Sequence, residues 1–454
     1  MKSNRSVKSI GVLWAQYGPY HLARVAALKK LGATVTTVHA VELASQTSYY
    51  EWKRSSAVDL ITLCPDEVVE RLSFWKVFKR ARRVFASLKM DVCILPSYAP
   101  KQSLAAFLAA KSLGLRTVMM NESHAGTARA SGLVAAIKRR LAVSFDAALV
   151  GGLPQKRYFA SLGLPEEKIF TGYDAVDNDY FAQKAGAVRS KAAEYRKQYE
   201  LPAHYFLSLG RFVAKKNLSV LIKAYRQLLD SNPNCQTHLV MVGSGEEEPK
   251  LRALCAGLRL PVYQKTSAGT HDKDNQSQAS PGKNDPPGVH FYGFRQIEEN
   301  PVFYALADAF ILPSLWEEWG LVVNEAMASG LPVIVSETVG CAEDLLKAGW
   351  PASLESLPSG QPPEMLAGIR QNGFVFDPNS PESLAAALLA LASAPVLRVA
   401  MGEMSRTIVG NFSCDNFARN ALRAASVAMG EDPAHLPDLT PAGEMMGLDS
   451  KLLS

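Results

Sequence analysis

Two glutamates, Glu317 and Glu325, bracket the start of a predicted helix in PSLWEEWGLVVNEAMASGLPVIVSE, residues 313–337. The preceding FILPS reads as a strand and GLVVNEAMASG as a helix, so LWEEW is the loop between them. In an α/β sheet such a loop lies at the carboxyl edge, where ligands bind. The first N–H groups of a helix starting near Gly320 lack partners within it and suit phosphate. Glu325, in the second turn, is placed to accept two hydrogen bonds from a diol such as a ribose. Glu317, on the loop, faces further out. Carboxylates beside a phosphate site need hydroxyl partners rather than anions, and the combination suggests a nucleotide-sugar. The plainer alternative is that Glu317 caps the helix and Glu325 is solvated.

A second segment, LSLGRFVAKKNLSVLIKAYRQLL, ends a strand at Gly210 and places Arg211 and Lys216 before a helix. Two cations at a strand end can hold a diphosphate and neutralise charge growing on a leaving group. Ordinary surface cations are the alternative, and Lys215 reads as one. In LVMVGSGEEE, Gly243 and Gly245 permit close backbone approach after a strand, though GSG alone does not separate ligand contact from a tight turn.

These residues need a framework that brings strand ends together. The chain alternates strand-like and helix-like runs with glycines closing helices, which is the pattern of a mostly parallel sheet. SIGVLWA, ATVTTVHA, DVCILPS, LRTVMMNES and AALVGG supply strands of a first unit, and YFLSLG, THLVMVGSG, VHFYGF, DAFILPS, LPVIVSE and GFVFDP those of a second. At 454 residues and 48% hydrophobic, the chain supports two cores. The divisions read as a first domain over 1–178, a linker over 179–202 holding a helix, and a second domain over 203–410 with a polar loop at 267–287. A helix at 411–430 and a loosely ordered tail at 431–454 follow. Six scattered cysteines without a CxxC read as reduced thiols. The Asp-x-Asp matches at 177–179 and 272–274 are too short to indicate a metal. No run approaches a membrane span or a signal peptide core, so the expected location is cytoplasmic.

GRFVAKKN, MVGSG, FYGF, ALADAFILPS, LWEEWGLVVNEAMASGLPVI and NGFVFDP stand here in the order and context that resemble the family 4 glycosyltransferases, over roughly residues 203–395. The resemblance implies a GT-B fold: two Rossmann-like domains facing each other across a cleft, with the donor on the second. It implies that Arg211 and Lys216 bind the diphosphate, that Glu317 contacts the donor sugar, and that Glu325 contacts ribose. The backbone at Gly320, Leu321 and Val322 would help hold phosphate, and Gly243 joins the donor-binding set. The last helix is expected to cross back onto the first domain, and Asp177 takes the place of a domain-junction aspartate. In the first domain, Gly18 belongs to the loop that approaches the donor. His124 falls where relatives carry a cleft histidine near the donor sugar, with Glu122 as its competitor. His21 either touches the acceptor or is polar surface. The sequence departs from the family at Glu318, where a glycine is common. That extra carboxylate either narrows donor choice or faces solvent.

The implied activity is a hexosyltransferase-type enzyme that transfers a sugar with retained configuration, requiring no metal or other cofactor. His124, Arg211, Lys216 and Glu317 form its catalytic set. The expected acceptor is a hydroxyl, with a lipid-linked or growing surface glycan as the setting the resemblance suggests. Residues 71–89, RLSFWKVFKRARRVFASLK, read either as a basic amphipathic helix on the anionic inner face of a membrane or as a surface helix packed by its aromatic face. No stacking platform accompanies these charges, so nucleic acid is not an expected partner. Rival readings are another GT-B enzyme, such as a phosphorylase or sugar-nucleotide epimerase, and a non-catalytic scaffold.

Overall fold

The computed structural model describes residues 7–32, 36–46, 58–128, 132–264, 286–349 and 370–432. The polar loop at 267–287, the Asp-x-Asp at 272–274 and the tail at 431–454 fall wholly or almost wholly outside these residues.

The first sheet contains β1 (Ser9–Trp14), β2 (Thr37–Gln46), β3 (Leu60–Val68), β4 (Val92–Pro96), β5 (Arg116–Asn121), β6 (Ala147–Val150) and β7 (Ile169–Phe170). Between them run α1 (Pro19–Gly32), α2 (Phe74–Leu88), α3 (Lys101–Ser112), α4 (Gly132–Ala142) and α5 (Leu153–Ser161). The strand order is β3-β2-β1-β4-β5-β6-β7, and every pairing is parallel. Then α6 (Asn178–Ser190) and α7 (Ala192–Gln198) lead into the second unit.

Its strands are β8 (Tyr205–Leu209), β9 (His238–Val242), β10 (Val262–Gln264), β11 (Val289–Phe291), β12 (Ala309–Leu312), β13 (Val333–Ser336), β14 (Ala348–Gly349) and β15 (Gly373–Phe376). Its helices are α8 (Leu218–Ser231), α9 (Glu248–Gly257), α10 (Asn300–Leu306), α11 (Leu321–Ala328), α12 (Ala342–Leu345), α13 (Pro381–Ser393) and α14 (Pro395–Gly410), followed by α15 (Cys414–Met429). The order is β10-β11-β9-β8-β12-β13-β15-β14, again all parallel. Strand order reverses direction at β1/β4 in one sheet and at β8/β12 in the other. Such switch points open a crevice beyond the carboxyl ends of the strands. The architecture is GT-B: two Rossmann-like domains across a cleft.

The second strand sits later than the sequence suggested, at 37–46 rather than 33–40, because Ser9 pairs with Thr37 and Trp14 with Glu42. β3 was not foreseen. It contains Pro65 and a left-handed Asp66 (φ 60°), which a sheet tolerates at its edge. The segment read as a linker is no free connector. Phe181, Ala185 and Val188 of α6 are buried in one cluster with Tyr304 of α10 and Val323 of α11. The charged face of α6 disguises this in the sequence. Chain order is also crossed at the end: Phe417, Ala418, Ala421 and Ala425 of α15 are buried with Val25 and Leu28 of α1 and Ile94 of β4. Asp177 caps α6, its carboxylate accepting from the Tyr180 N–H at 3.0 Å.

Helix α2 turns its apolar face inward. Val77, Ala81 and Phe85 are buried, and of its large apolar residues only Trp75 is exposed, at 67%. Lys76 pairs with Glu67 at 2.6 Å, and Arg80 donates to the Leu63 carbonyl. The packed-surface-helix reading therefore accounts for its apolar stripe. Large apolar exposure lies instead on α4, at Leu133 (77%), Val134 (56%) and Ile137 (50%).

Candidate active site

The second-domain wall is built at the ends of β8 and β12. β8 ends at Gly210, and a 3-10 turn at Ala214–Lys216 closes with Asn217 in a left-handed conformation (φ 51°) whose side-chain amide donates to the Pro378 carbonyl at 2.8 Å. That turn aims two lysines at Glu317. Lys216 Nζ lies 2.5 Å from Glu317 Oε1 and Lys215 Nζ 3.1 Å from Oε2, while Ser314 Oγ donates to Oε1 at 3.1 Å. Lys215 is thus not the bland surface cation its sequence context suggested. It also lies over the Trp316 ring, 4.4 Å from the centroid. Glu317 is 7% exposed. Burial by itself raises its pKa, but Lys216 and Lys215 together outweigh burial and hold the carboxyl below its ordinary range. It is a fixed anion. Glu317 neither caps a helix nor faces solvent.

Arg211 is exposed and lines a small recess with Lys216, Gly210 and Pro313. Gly320 opens α11 at φ 105°, a left-handed value that suits glycine, and the N–H groups of Leu321 and Val322 form the first turn behind it. Gly243 follows β9 beside the end of β8. Its N–H donates to the Gly293 carbonyl at 2.8 Å, and a Cβ there would lie 1.9 Å from the Gly210 carbonyl oxygen. The missing side chain lets two strand ends pack. The Glu318 side chain is 39% exposed, with its carboxylate 3.8 Å from Lys215.

The first-domain wall faces these groups. His124 Nε2 donates across the cleft to the Glu317 carbonyl at 2.9 Å, and its Nδ1 accepts from the Gly126 N–H at 3.2 Å. Those partners assign a neutral ring with the proton on Nε2. Gly18 lies between β1 and α1, its N–H donating to His21 Nδ1 at 3.1 Å. His21 itself stacks on Trp14, with 4.7 Å between centroids. Burial first, then Arg24, pushes its pKa down to about 3. His21 therefore holds the loop through Gly18 and Trp14. Glu122 is half-buried beside the cleft. Burial raises its pKa, Arg24 opposes, and the charges of Glu318 and Glu317 add to the rise.

Glu325 departs furthest from expectation. It is 2% exposed. Tyr20 of α1 donates to Oε1 at 2.6 Å and Tyr304 of α10 to Oε2 at 3.1 Å. The two donors expected from a diol come from the protein, one from each domain. Burial pushes the carboxyl up to about 7, and hydrogen bonds from Tyr20, Tyr304 and Asn300 offset only part of that rise. Nothing in the sequence links Tyr20 to Glu325, since the contact spans both domains.

Further bonds hold the domains face to face. Gln155 donates to the Glu318 carbonyl at 2.7 Å, and Arg157 forms a bidentate pair with Glu343 at 2.7 and 2.5 Å. Between them opens a cavity of about 350 Å³, lined by His124 and Arg157 on one side and Trp316, Glu337 and Thr338 on the other. That volume is in the range of small-molecule sites. Six free cysteines, five of them buried, take no part.

Residues 203–394 match the family described as glycosyl transferases group 1. Mannosylfructose-phosphate synthase of Agrobacterium fabrum is 30% identical over 36% of this chain and 31% of its own length. The O-antigen chain mannosyltransferase B of Escherichia coli is 26% identical over 41% of each. The chain thus spans less than half the length of these curated relatives. Among solved structures, a glycosyltransferase from Rickettsia africae superposes with a TM-score of 0.65 at 15% identity, covering 94% of this chain and all of that one. Anabaena HepE, solved with UDP and glucose, gives 0.60 at 16% identity, covering 92% and 99%. Residues 203–394 thus resemble the group 1 glycosyl transferases, and the whole chain has the GT-B fold that those structures share with it from end to end.

Proposed function

We propose that the protein is a retaining glycosyltransferase that moves a sugar from a nucleoside-diphosphate sugar to an acceptor hydroxyl. The observation that carries this reading is the Arg211–Lys216–Glu317–His124 constellation at the facing carboxyl edges of both sheets. Structural neighbours solved with UDP-glucose and with UDP-2-fluoro glucose support a nucleotide-sugar donor. Arg211 and Lys216 hold the diphosphate and stabilise its charge as the bond from the sugar's anomeric carbon to the phosphate oxygen breaks. Glu317, fixed by both lysines, accepts from a donor-sugar hydroxyl, and His124 closes the other side. The acceptor oxygen attacks on the face the diphosphate leaves, and its proton passes to a leaving-group phosphate oxygen. Orientation and charge stabilisation carry the rate, and no protein carboxylate acts as nucleophile. No metal is required.

The acceptor we propose is membrane-borne. Leu133, Val134 and Ile137 of α4 stand exposed with Arg139 and Arg140 on the same helix, and Trp75 stands exposed with Lys79, Arg82 and Arg83 on α2. Apolar and cationic groups together suit the inner, anionic face of a bilayer. Sedimentation with phosphatidylglycerol vesicles but not phosphatidylcholine vesicles, lost in L133S/I137S, is the expected result.

The test of activity is turnover of UDP-, GDP- and ADP-sugars with and without EDTA, beside Lys216→Ala. One donor consumed in EDTA, with the anomeric configuration kept in the product and turnover lost in the variant, supports the reading. Failure of every nucleotide-sugar to bind would replace it with a scaffold role.

A further inference from the structure

Tyr20 stands in the first turn of α1, in the first domain, yet it packs against the core cluster of the second. Leu321 and Val322, at the start of α11, pack against the same cluster. Its hydroxyl donates to Glu325 Oε1 at 2.6 Å. Burial, then the charge of Glu325, raises the tyrosine pKa well above its usual value, so the hydroxyl keeps its proton and remains a donor. With Tyr304 on Oε2 and 2% exposure, Glu325 offers no accessible oxygen to a ligand in this arrangement. Leu321 and Val322 are also the residues whose N–H groups start α11. The tyrosine therefore reaches the carboxylate just behind the turn proposed to hold phosphate.

We propose that Tyr20 is a donor-site residue whose hydroxyl and a donor ribose hydroxyl compete for Glu325. The inference rests on the nucleotide-sugar reading above. It adds that donor binding exchanges one hydrogen bond on Glu325 for another and withdraws α1 from α11. The chemistry of the exchange is conservative, hydroxyl for hydroxyl on the same oxygen. Donor affinity is then reduced by the strength of the Tyr20 bond, because a ligand gains only the difference between the two. Tyr20 acts on binding and domain spacing and does not touch the reacting carbon.

The experiment is isothermal titration of UDP, GDP and ADP into the full-length wild type and Tyr20→Phe, with the 2′-deoxy form of the tightest nucleotide as comparator. Melting curves confirm that both proteins fold. Tyr20→Phe keeps the packed ring and removes only the hydroxyl. A hydrogen bond to a carboxylate no longer displaced corresponds to about a tenfold gain in affinity. The expected result is that Tyr20→Phe binds the ribonucleotide about tenfold more tightly and the 2′-deoxy nucleotide with a clearly smaller gain. Unchanged or weaker ribonucleotide binding in a folded Tyr20→Phe overturns this inference and leaves the glycosyltransferase reading standing. An equal gain for both nucleotides also overturns it, since the effect would not run through the ribose hydroxyl. No binding of any nucleotide by either protein overturns both.

Discussion

Glu317 and Glu325 are the same residue type on one short segment, both nearly buried, and their surroundings give them opposite electrostatics. Glu317 is flanked by two lysines that keep it ionised. Glu325 is flanked by two tyrosine hydroxyls, which satisfy its oxygens without supplying charge, so burial prevails and its pKa rises to about 7. The difference shows that the spacing of two carboxylates does not assign their roles. The first is an electrostatic anchor for a cationic site. The second is a hydrogen-bond acceptor shared between domains, and its charge depends on pH near neutrality.

The strongest way to break this contrast is to remove Lys216, which pairs with Glu317 and is proposed to hold the diphosphate. Lys216→Ala is expected to lower kcat by about 10²–10³, the usual scale for losing one preorganised charge-stabilising group. Steady-state turnover of the donor identified above measures it, and a loss under fivefold would place the diphosphate elsewhere.

Next in size is stability. Glu317→Gln leaves Lys216 without its anion and Lys215 with only the more distant Glu318, and is expected to cost about 3 kcal/mol, lowering Tm by about 6–12 °C at pH 7. Calorimetry that shows an unchanged Tm would mean solvent already screens the cluster. Because the folded pKa of Glu317 is depressed, its contribution is present above the unfolded value and lost as pH falls through the folded one.

Glu325 has the opposite sign. Its folded pKa is raised, so its contribution is complete below about 4.5 and lost as pH climbs through about 7. Glu325→Gln removes the titration. The stability of this variant relative to wild type is expected to improve by about 2 kcal/mol between pH 5 and pH 8. Urea melts at the two pH values report it, and a flat difference would show that Glu325 ionises freely.

The smallest effect sharpens the comparison from outside. The Arg157–Glu343 pair is bidentate and joins the domains, yet its side chains are 62% and 47% exposed. Solvent screening limits it, and Arg157→Ala is expected to cost about 0.5 kcal/mol. A double-mutant cycle with Glu343→Ala gives the coupling, and a value above 2 kcal/mol would contradict this.

Local features were legible in the sequence and cross-domain ones were not. The strand-loop-helix around Glu317, the cations Arg211 and Lys216 after β8, and the parallel alternation all follow from short-range patterns. Lys215 was misjudged because its direction depends on a 3-10 turn closed by a left-handed Asn217, which neighbouring identities do not reveal. The sequence shows Glu325 as solvated or ribose-binding and hides its bond to Tyr20, which lies at the other end of the chain. Gly243 matched a ligand-approach motif while serving strand-end packing. The amphipathic signal of α2 was correct in period, but periodicity says only that one face is apolar, and this one meets the protein.

The placement of α15 bears on how the polypeptide matures. Trp14, in the first strand of the chain, has its ring 6.2 Å from that of Phe417, in the last helix described, and α15 supplies part of the layer over β4–β7. A ribosome releasing this chain from its N-terminus exposes Val25, Leu28 and Ile94 with no cover until the whole second domain has been synthesised. Domains commonly fold in order of emergence. Here the earlier domain waits for the later one, so a nascent chain stalled before residue 414 presents an apolar surface to chaperones even when its second domain is complete.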